Sequence, residues 1–116
     1  MNAPSTFLAE WTPSAQTPLF AGHFPGNPLL PGSMLLDWAV SAYAHANHRR
    51  VSDCSLRQAR FLAPARPDVP LRLEHQPARR DRTRLQVMAM PANGEPYVVL
   101  DVLLDPPRRD AEEVGP

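Results

Sequence analysis

The chain has 116 residues, 43% of them hydrophobic, with twelve basic and twelve acidic residues and no formal net charge. That composition suits one domain around one core, and it excludes strong nonspecific attraction to nucleic acid or to an anionic membrane surface. The single cysteine, Cys54, excludes an internal disulfide, so cysteine usage does not call for an oxidising compartment.

The first residues, "MNAPSTFLAEWTPSAQ", lack a basic segment before an apolar one and do not read as a signal peptide. No apolar run is long enough to cross a bilayer. A soluble, cytoplasmic protein is expected. All the basic residues are arginines, and the fifteen prolines fall between elements as punctuation.

Residues 6–12, "TFLAEWT", predict a short strand. The stretch "SAQTPLFAGHFPGNPLLPG" is too rich in turn residues to be regular for long. A helix is expected to start at Gly32 or Ser33, with Ser33 as N-cap behind Pro31, and to end near His48. Its residues Met34, Leu35, Leu36, Trp38, Ala39, Val40, Ala42, Tyr43 and Ala44 make it apolar almost all round, which predicts burial in the middle of the domain. Four more strands are expected over 54–62, 70–76, 82–90 and 96–104. Leu71, Leu73 and His75 share one face of the second of these, and Thr83, Leu85, Val87 and Ala89 share one face of the third. Asn-Gly in "PANGEP" signals a hairpin before the last strand. The expected architecture is α+β: a single domain over 1–105, in which an antiparallel sheet wraps one helix, followed by a polar, flexible tail over 106–116. Such a sheet leaves a strand edge to protect, so a dimer joined through an edge strand is expected.

Three features within sixteen residues carry chemistry. Asp37 sits in the second turn of an apolar helix, where an unpaired carboxylate is costly to bury. It must then be paired, protonated or facing a cavity, unless it serves only the helix dipole. His23 lies in "GHFPG", a turn stiffened by Pro25 and bounded by Gly22 and Gly26. Pro31 and Gly32 open the helix, where unpaired backbone amides can polarise a carbonyl. A base, an acid and amide donors together point to proton abstraction beside a carbonyl. His45 and His48 are three apart on the helix, but no further ligand is near, and no metal site is expected. Cys54 reads as a buried or semi-buried strand thiol.

The segment "GHFPGNPLLPGSMLLD", residues 22–37, closely resembles the active-site segment of the hot-dog-fold 3-hydroxyacyl-[acyl-carrier-protein] dehydratases. The family pattern is G-H-F-P-G-x-P-x-x-P-G, then three or four apolar residues and an acid, and every fixed position is met. "ARFLAPARPDVPLRLE", residues 59–74, is similar to the family's later strand, turn and strand. The resemblance implies a hot-dog fold, in which a long helix is wrapped by a curved antiparallel sheet. It also implies a dimer whose active sites are shared, with His23 of one subunit facing Asp37 of the other. His23 matches the catalytic histidine, Asp37 the catalytic acid, and Gly32 the glycine whose amide polarises the thioester carbonyl. Phe24, Pro31, Ser33, Leu36 and Ser41 are then expected along the substrate tunnel.

The chain departs from the general enzymes in three ways. It carries Asp37 where they carry glutamate, and Ser41 where glutamine often holds the acid. Only 22 residues precede His23. These traits resemble the isomerising branch and, most of all, the short dehydratases of aryl-polyene pigment clusters. The implied reaction is dehydration of a 3-hydroxyacyl thioester to the trans-2-enoyl thioester, without cofactor or metal. His23 removes the α-proton, and apolar surroundings favour the protonated carboxyl that Asp37 needs as an acid. The implied partner is acyl carrier protein, with Arg49, Arg50, Arg57, Arg60, Arg66, Arg79 and Arg80 as candidates for a docking patch. A homodimer is expected, with a heterodimer of related chains as the alternative. The rival functions are an acyl thioesterase on the same fold and a non-catalytic subunit that completes a partner's site.

Overall fold

A computed structural model describes residues 4–16, 29–78 and 81–106. The five strands are β1 (Thr6–Trp11), β2 (Ser55–Phe61), β3 (Leu71–Gln76), β4 (Thr83–Ala89) and β5 (Tyr97–Asp105). The helix α1 (Gly32–Ala46) lies between β1 and β2 in the chain and is followed by a short 3-10 turn, Val51–Asp53. The strands form one antiparallel sheet in the order β1-β3-β4-β5-β2. The meander β3-β4-β5 is its centre, and the expected Asn-Gly hairpin joins β4 to β5. The outer places go to the strands on either side of α1 in the chain, so the helix is carried from one edge of the sheet to the other.

Alternation sorts the faces. Leu71 and Leu73 of β3, Leu85, Val87 and Ala89 of β4, and Leu100, Val102 and Leu104 of β5 are all buried on the side that receives α1. The opposite face is polar and laced by ion pairs, among them a two-pronged contact from Arg84 to Asp101 at 3.0 and 3.2 Å. Irregular pairing in β5, opposite the step from Val87 to Met88, leaves Val99 and Leu100 both buried despite being neighbours.

The helix lays a row at spacing four, Leu35, Ala39 and Tyr43, onto that apolar face. Ala39 has no exposed surface, and its small side chain lets the helix approach the sheet closely. The Tyr43 hydroxyl lies 3.3 Å from the Thr83 hydroxyl, and its ring meets His75 edge-on at 5.9 Å. Trp38 packs against Trp11 of β1 with ring centroids 5.4 Å apart.

Two expectations need correction. The helix is not enclosed on all sides: Ser33, Met34 and Asp37 are exposed. One chain supplies only one sheet face, so an all-apolar helix keeps one side uncovered. Ser33 is also not the N-cap. Pro31 holds that place, and its carbonyl accepts the N–H groups of Met34 and Leu35 at 3.1 and 3.2 Å. The cap therefore uses no side-chain hydrogen bond. At the other end, the Asn47 amide donates to the Tyr43 carbonyl at 2.9 Å, and His48 turns the chain with φ 55°.

The core row predicts a clear asymmetry in stability. Leu73→Ala should lower unfolding free energy by about 2–5 kcal/mol through the transferred methyl groups and the cavity left behind. Val51→Ala, at an exposed position, should stay within about 0.5 kcal/mol of the parent. Urea denaturation of both variants checks this.

Candidate active site

Chain geometry brings the start of α1 against the end of β2. The two segments enclose an apolar groove of about 520 Å³, lined by Leu29, Leu30, Gly32 and Leu35 on one side and Phe61, Leu62, Ala63, Pro64 and Ala65 on the other. The Leu30 N–H donates to the Ala65 carbonyl at 2.9 Å, and the Leu62 N–H donates to the Val99 carbonyl at 2.9 Å. The first bond ties the two walls to each other, and the second ties the wall after Phe61 to β5.

Gly32 sits where a side chain does not fit easily. A Cβ built there would lie 3.0 Å from Cε1 of Phe61 and 3.3 Å from Cδ1 and Cζ. The ring of Phe61 thus covers the Cα of the first helical residue. Being first in the helix, Gly32 has no intrahelical acceptor for its N–H. A polarised amide and an apolar wall therefore share one small space, a combination suited to a carbonyl attached to an acyl chain.

Asp37 lies just over one helical turn beyond Gly32, on the exposed face with Ser33 and Met34 and near half-buried Ser41. The sequence suggested a carboxyl held in apolar surroundings. Among the described residues nothing buries it, because the sheet covers the other side of α1. Pro31 and Leu36 are half-buried on either side of Gly32 and Leu35. His23 and Phe24 lie outside the described residues. The structure brings Gly32 to the groove and leaves Asp37 on an open face beside it.

Several groove residues carried no role in the sequence reading. Phe61, Leu62, Ala63, Pro64 and Ala65 all fall within the second segment that resembles the dehydratases, and that was the available signal. Pairing across the sheet turns Phe61 to the apolar face opposite Leu100, and Leu56 likewise opposite Leu104. Phe61, Leu62 and Leu56 are 52%, 49% and 49% exposed, an apolar flank along the unpaired side of β2. At the other edge Phe7 of β1 is 48% exposed, and the Arg72 guanidinium lies 4.5 Å above its ring.

Other candidates fall away from the groove. Cys54 donates to the Arg50 carbonyl at 3.6 Å. Partial burial and Asp53 push its thiol up, against the opposing pull of Arg49, which disfavours the reactive thiolate. Among the described residues, no three His, Cys, Asp or Glu side chains group together as a metal site. No helix there is long and apolar enough to cross a membrane. Of the arginines considered for docking, Arg57 pairs with Asp105 at 3.5 Å, and Arg49, Arg50 and Arg60 are exposed. Arg79 and Arg80 lie outside the described residues, as does the tail from 107 onward.

A helix on one face of a curved five-stranded antiparallel sheet, in this strand order, is the hot-dog fold. Solved structures of similar shape include the dehydratase heterocomplex ApeI:P from Xenorhabdus doucetiae, 19% identical with a TM-score of 0.61 over 93% of this chain and 97% of that one. Another is HI0827, a hexameric broad-specificity acyl-coenzyme A thioesterase, 13% identical with a TM-score of 0.58 over 90% of this chain and 80% of that one. At these identities the likeness concerns the fold. The sequence itself matches the ApeI-like family, described as ApeI dehydratase, over residues 2–97. The chain belongs to that family. Among curated proteins it is similar to the 3-hydroxyacyl-[acyl-carrier-protein] dehydratase FabZ of Chloroflexus aggregans, 41% identical over 76 residues, which is 60% of this chain and 53% of that protein. The FabZ of Thermomicrobium roseum is 38% identical over 66 residues, 51% of this chain and 44% of that protein. The chain thus spans about half the length of the curated relatives it matches.

The contact between Gly32 and Phe61 makes a quantitative expectation. Gly32→Ala gains helix propensity but presses on the ring, whereas in a Phe61→Ala background only the gain remains. A double-mutant cycle on stability should give a coupling of about 0.5 kcal/mol or more. Simple additivity in thermal or urea unfolding would mean that the ring is not what excludes the side chain.

Proposed function

We propose that the chain dehydrates 3-hydroxyacyl thioesters carried on acyl carrier protein to trans-2-enoyl thioesters. The observation that carries this reading is the match to the ApeI-like dehydratases over residues 2–97, which contain His23, Gly32 and Asp37 in the family's motif. In this reading the Gly32 N–H draws charge onto the thioester oxygen and acidifies the α-carbon. His23 takes the α-proton, a role suited to imidazole near neutral pH. Asp37 gives a proton to the departing β-hydroxyl. The Cα–H and Cβ–O bonds break, the α–β double bond forms, and water leaves. Both proton movements belong to side chains, so the step needs neither cofactor nor metal. The apolar groove beside Gly32 supports an acyl chain as the group bound.

The site is completed, in this reading, by a second hot-dog chain. Two observations support it: Asp37 is exposed on the uncovered side of α1, and an apolar flank runs along the unpaired edge of β2. A partner edge strand would cover that flank, extend the sheet and place its own residues near Asp37. The dehydratase heterocomplex to which this fold is similar makes a related chain an alternative to a second copy. Exposed Arg49, Arg50 and Arg60 supply positive charge for an acidic carrier protein.

The test is to incubate the purified protein with 3-hydroxyacyl carrier protein and follow the carrier's mass. Loss of one water from the carried group is expected; release of free acid would identify a thioesterase, and no change would indicate a subunit without activity of its own. Asp37→Asn should lower the dehydration rate by about 10²–10⁴-fold while sedimentation still gives a dimer at micromolar concentration. Retained turnover would remove Asp37 from the mechanism.

A further inference from the structure

The sheet face turned away from α1 carries a second concavity, a shallow bowl of about 400 Å³. Its floor is Leu103 of β5. Gln58 and Arg60 of β2 flank it on one side, and Arg84 of β4 with Arg82 just ahead of that strand on the other; Pro77 and Ala78 of the β3–β4 connection also line it. Strand register sets these places: Gln58 and Arg84 pair with Leu103 from opposite sides, and Arg60 pairs with Asp101. Phe61, next to Arg60 in the chain, faces the groove at Gly32 on the other side of the sheet, and the bowl and the groove share no residue.

A chain with no net charge concentrates cations here. Arg84 directs two donors onto Asp101 at 3.0 and 3.2 Å, which satisfies that carboxylate. Arg57 and Arg82 share the one carboxylate of Asp105, at 3.5 and 3.9 Å. Arg60 makes no ion pair among the described residues, although it stands opposite Asp101 in the ladder. Four guanidinium groups thus meet two carboxylates, and two positive charges lack a counterion. An ordinary ion-paired surface needs one cation per carboxylate, and surplus like charge on neighbouring strands is destabilising. We infer that the bowl is a binding site for a phosphate monoester. The dianion matches the surplus charge, and planar guanidinium forks donate to phosphate oxygens in pairs. The volume falls within the range of about 300–1,000 Å³ typical of small-molecule sites, and Leu103, Pro77 and Ala78 offer the ester's carbon chain an apolar contact.

The site does not depend on the dehydratase reading, and its test needs no turnover. Inorganic phosphate and glycerol 3-phosphate are titrated into the full chain at constant ionic strength, with binding read by isothermal calorimetry. Saturable binding with Kd below about 10 mM is expected for both. Arg60→Gln and Arg82→Gln should each weaken it about tenfold or more, the effect of losing a charged hydrogen-bond donor. In chloride buffer neither variant should unfold at lower urea than the parent, because each removes surplus like charge. Absence of saturation in the parent overturns the site, as does undiminished affinity in both variants. Equal affinity for dimethyl phosphate, a diester with a single charge, overturns the assignment to a dianion. Earlier unfolding of Arg60→Gln in chloride would make that arginine part of the fold's own ion pairing and would equally overturn the inference.

Discussion

The seating of one helix on one face of one sheet decides everything else about this molecule. Leu35, Ala39 and Tyr43 form the contact row, and Ala39 is small enough to be sealed completely against the strands. Because that row faces the sheet, Asp37 must face away from it. Because the helix begins beside the end of β2, Gly32 must lie under Phe61. The candidate site is therefore built at the margin of the domain, where the helix leaves the cover of its own sheet.

A site at a margin has to be held from outside the core. The strand order places β1 and β2 at opposite edges, yet the connection after β2 reaches back to the chain that follows β1. Asp68 and Ala65 make that link, and Leu62 ties the same connection to Val99 of β5. Both edges leave apolar side chains exposed: Phe7 on β1, with the Arg72 cation over one side of its ring, and Leu56, Phe61 and Leu62 along and just past β2. In the proposed dimer a second chain of the same fold covers the open apolar edge of β2.

Much of this was legible in the sequence because it depends on local pattern. Alternation in "LRLEHQ" and "RTRLQVMAM" gave the right faces for Leu71, Leu73, Leu85, Val87 and Ala89, and proline and glycine marked the strand ends to within one or two residues. Gly32 was singled out from its place at a helix start. What could not be read was nonlocal. Hydropathy shows that the helix wants cover on every side, but not whether the cover comes from its own chain, so Asp37 was expected in apolar surroundings and is exposed. Ser33 looked like a cap by residue type, yet the Pro31 carbonyl already meets the first helical amides. The part played by Phe61 depends on a pairing between strands far apart in sequence, which has no signature in its own neighbourhood.

In the proposed dehydratase, His23 and Asp37 of one active site come from two chains. This arrangement is tested most directly by complementation between His23→Ala and Asp37→Asn, each purified and inactive alone. After subunit exchange, verified by native mass spectrometry, a mixed dimer carries both lesions in one site and neither in the other. Random exchange makes about half the dimers mixed, each with one intact site, so about a quarter of the parent activity should return. Complete exchange with no return of activity would contradict the shared site.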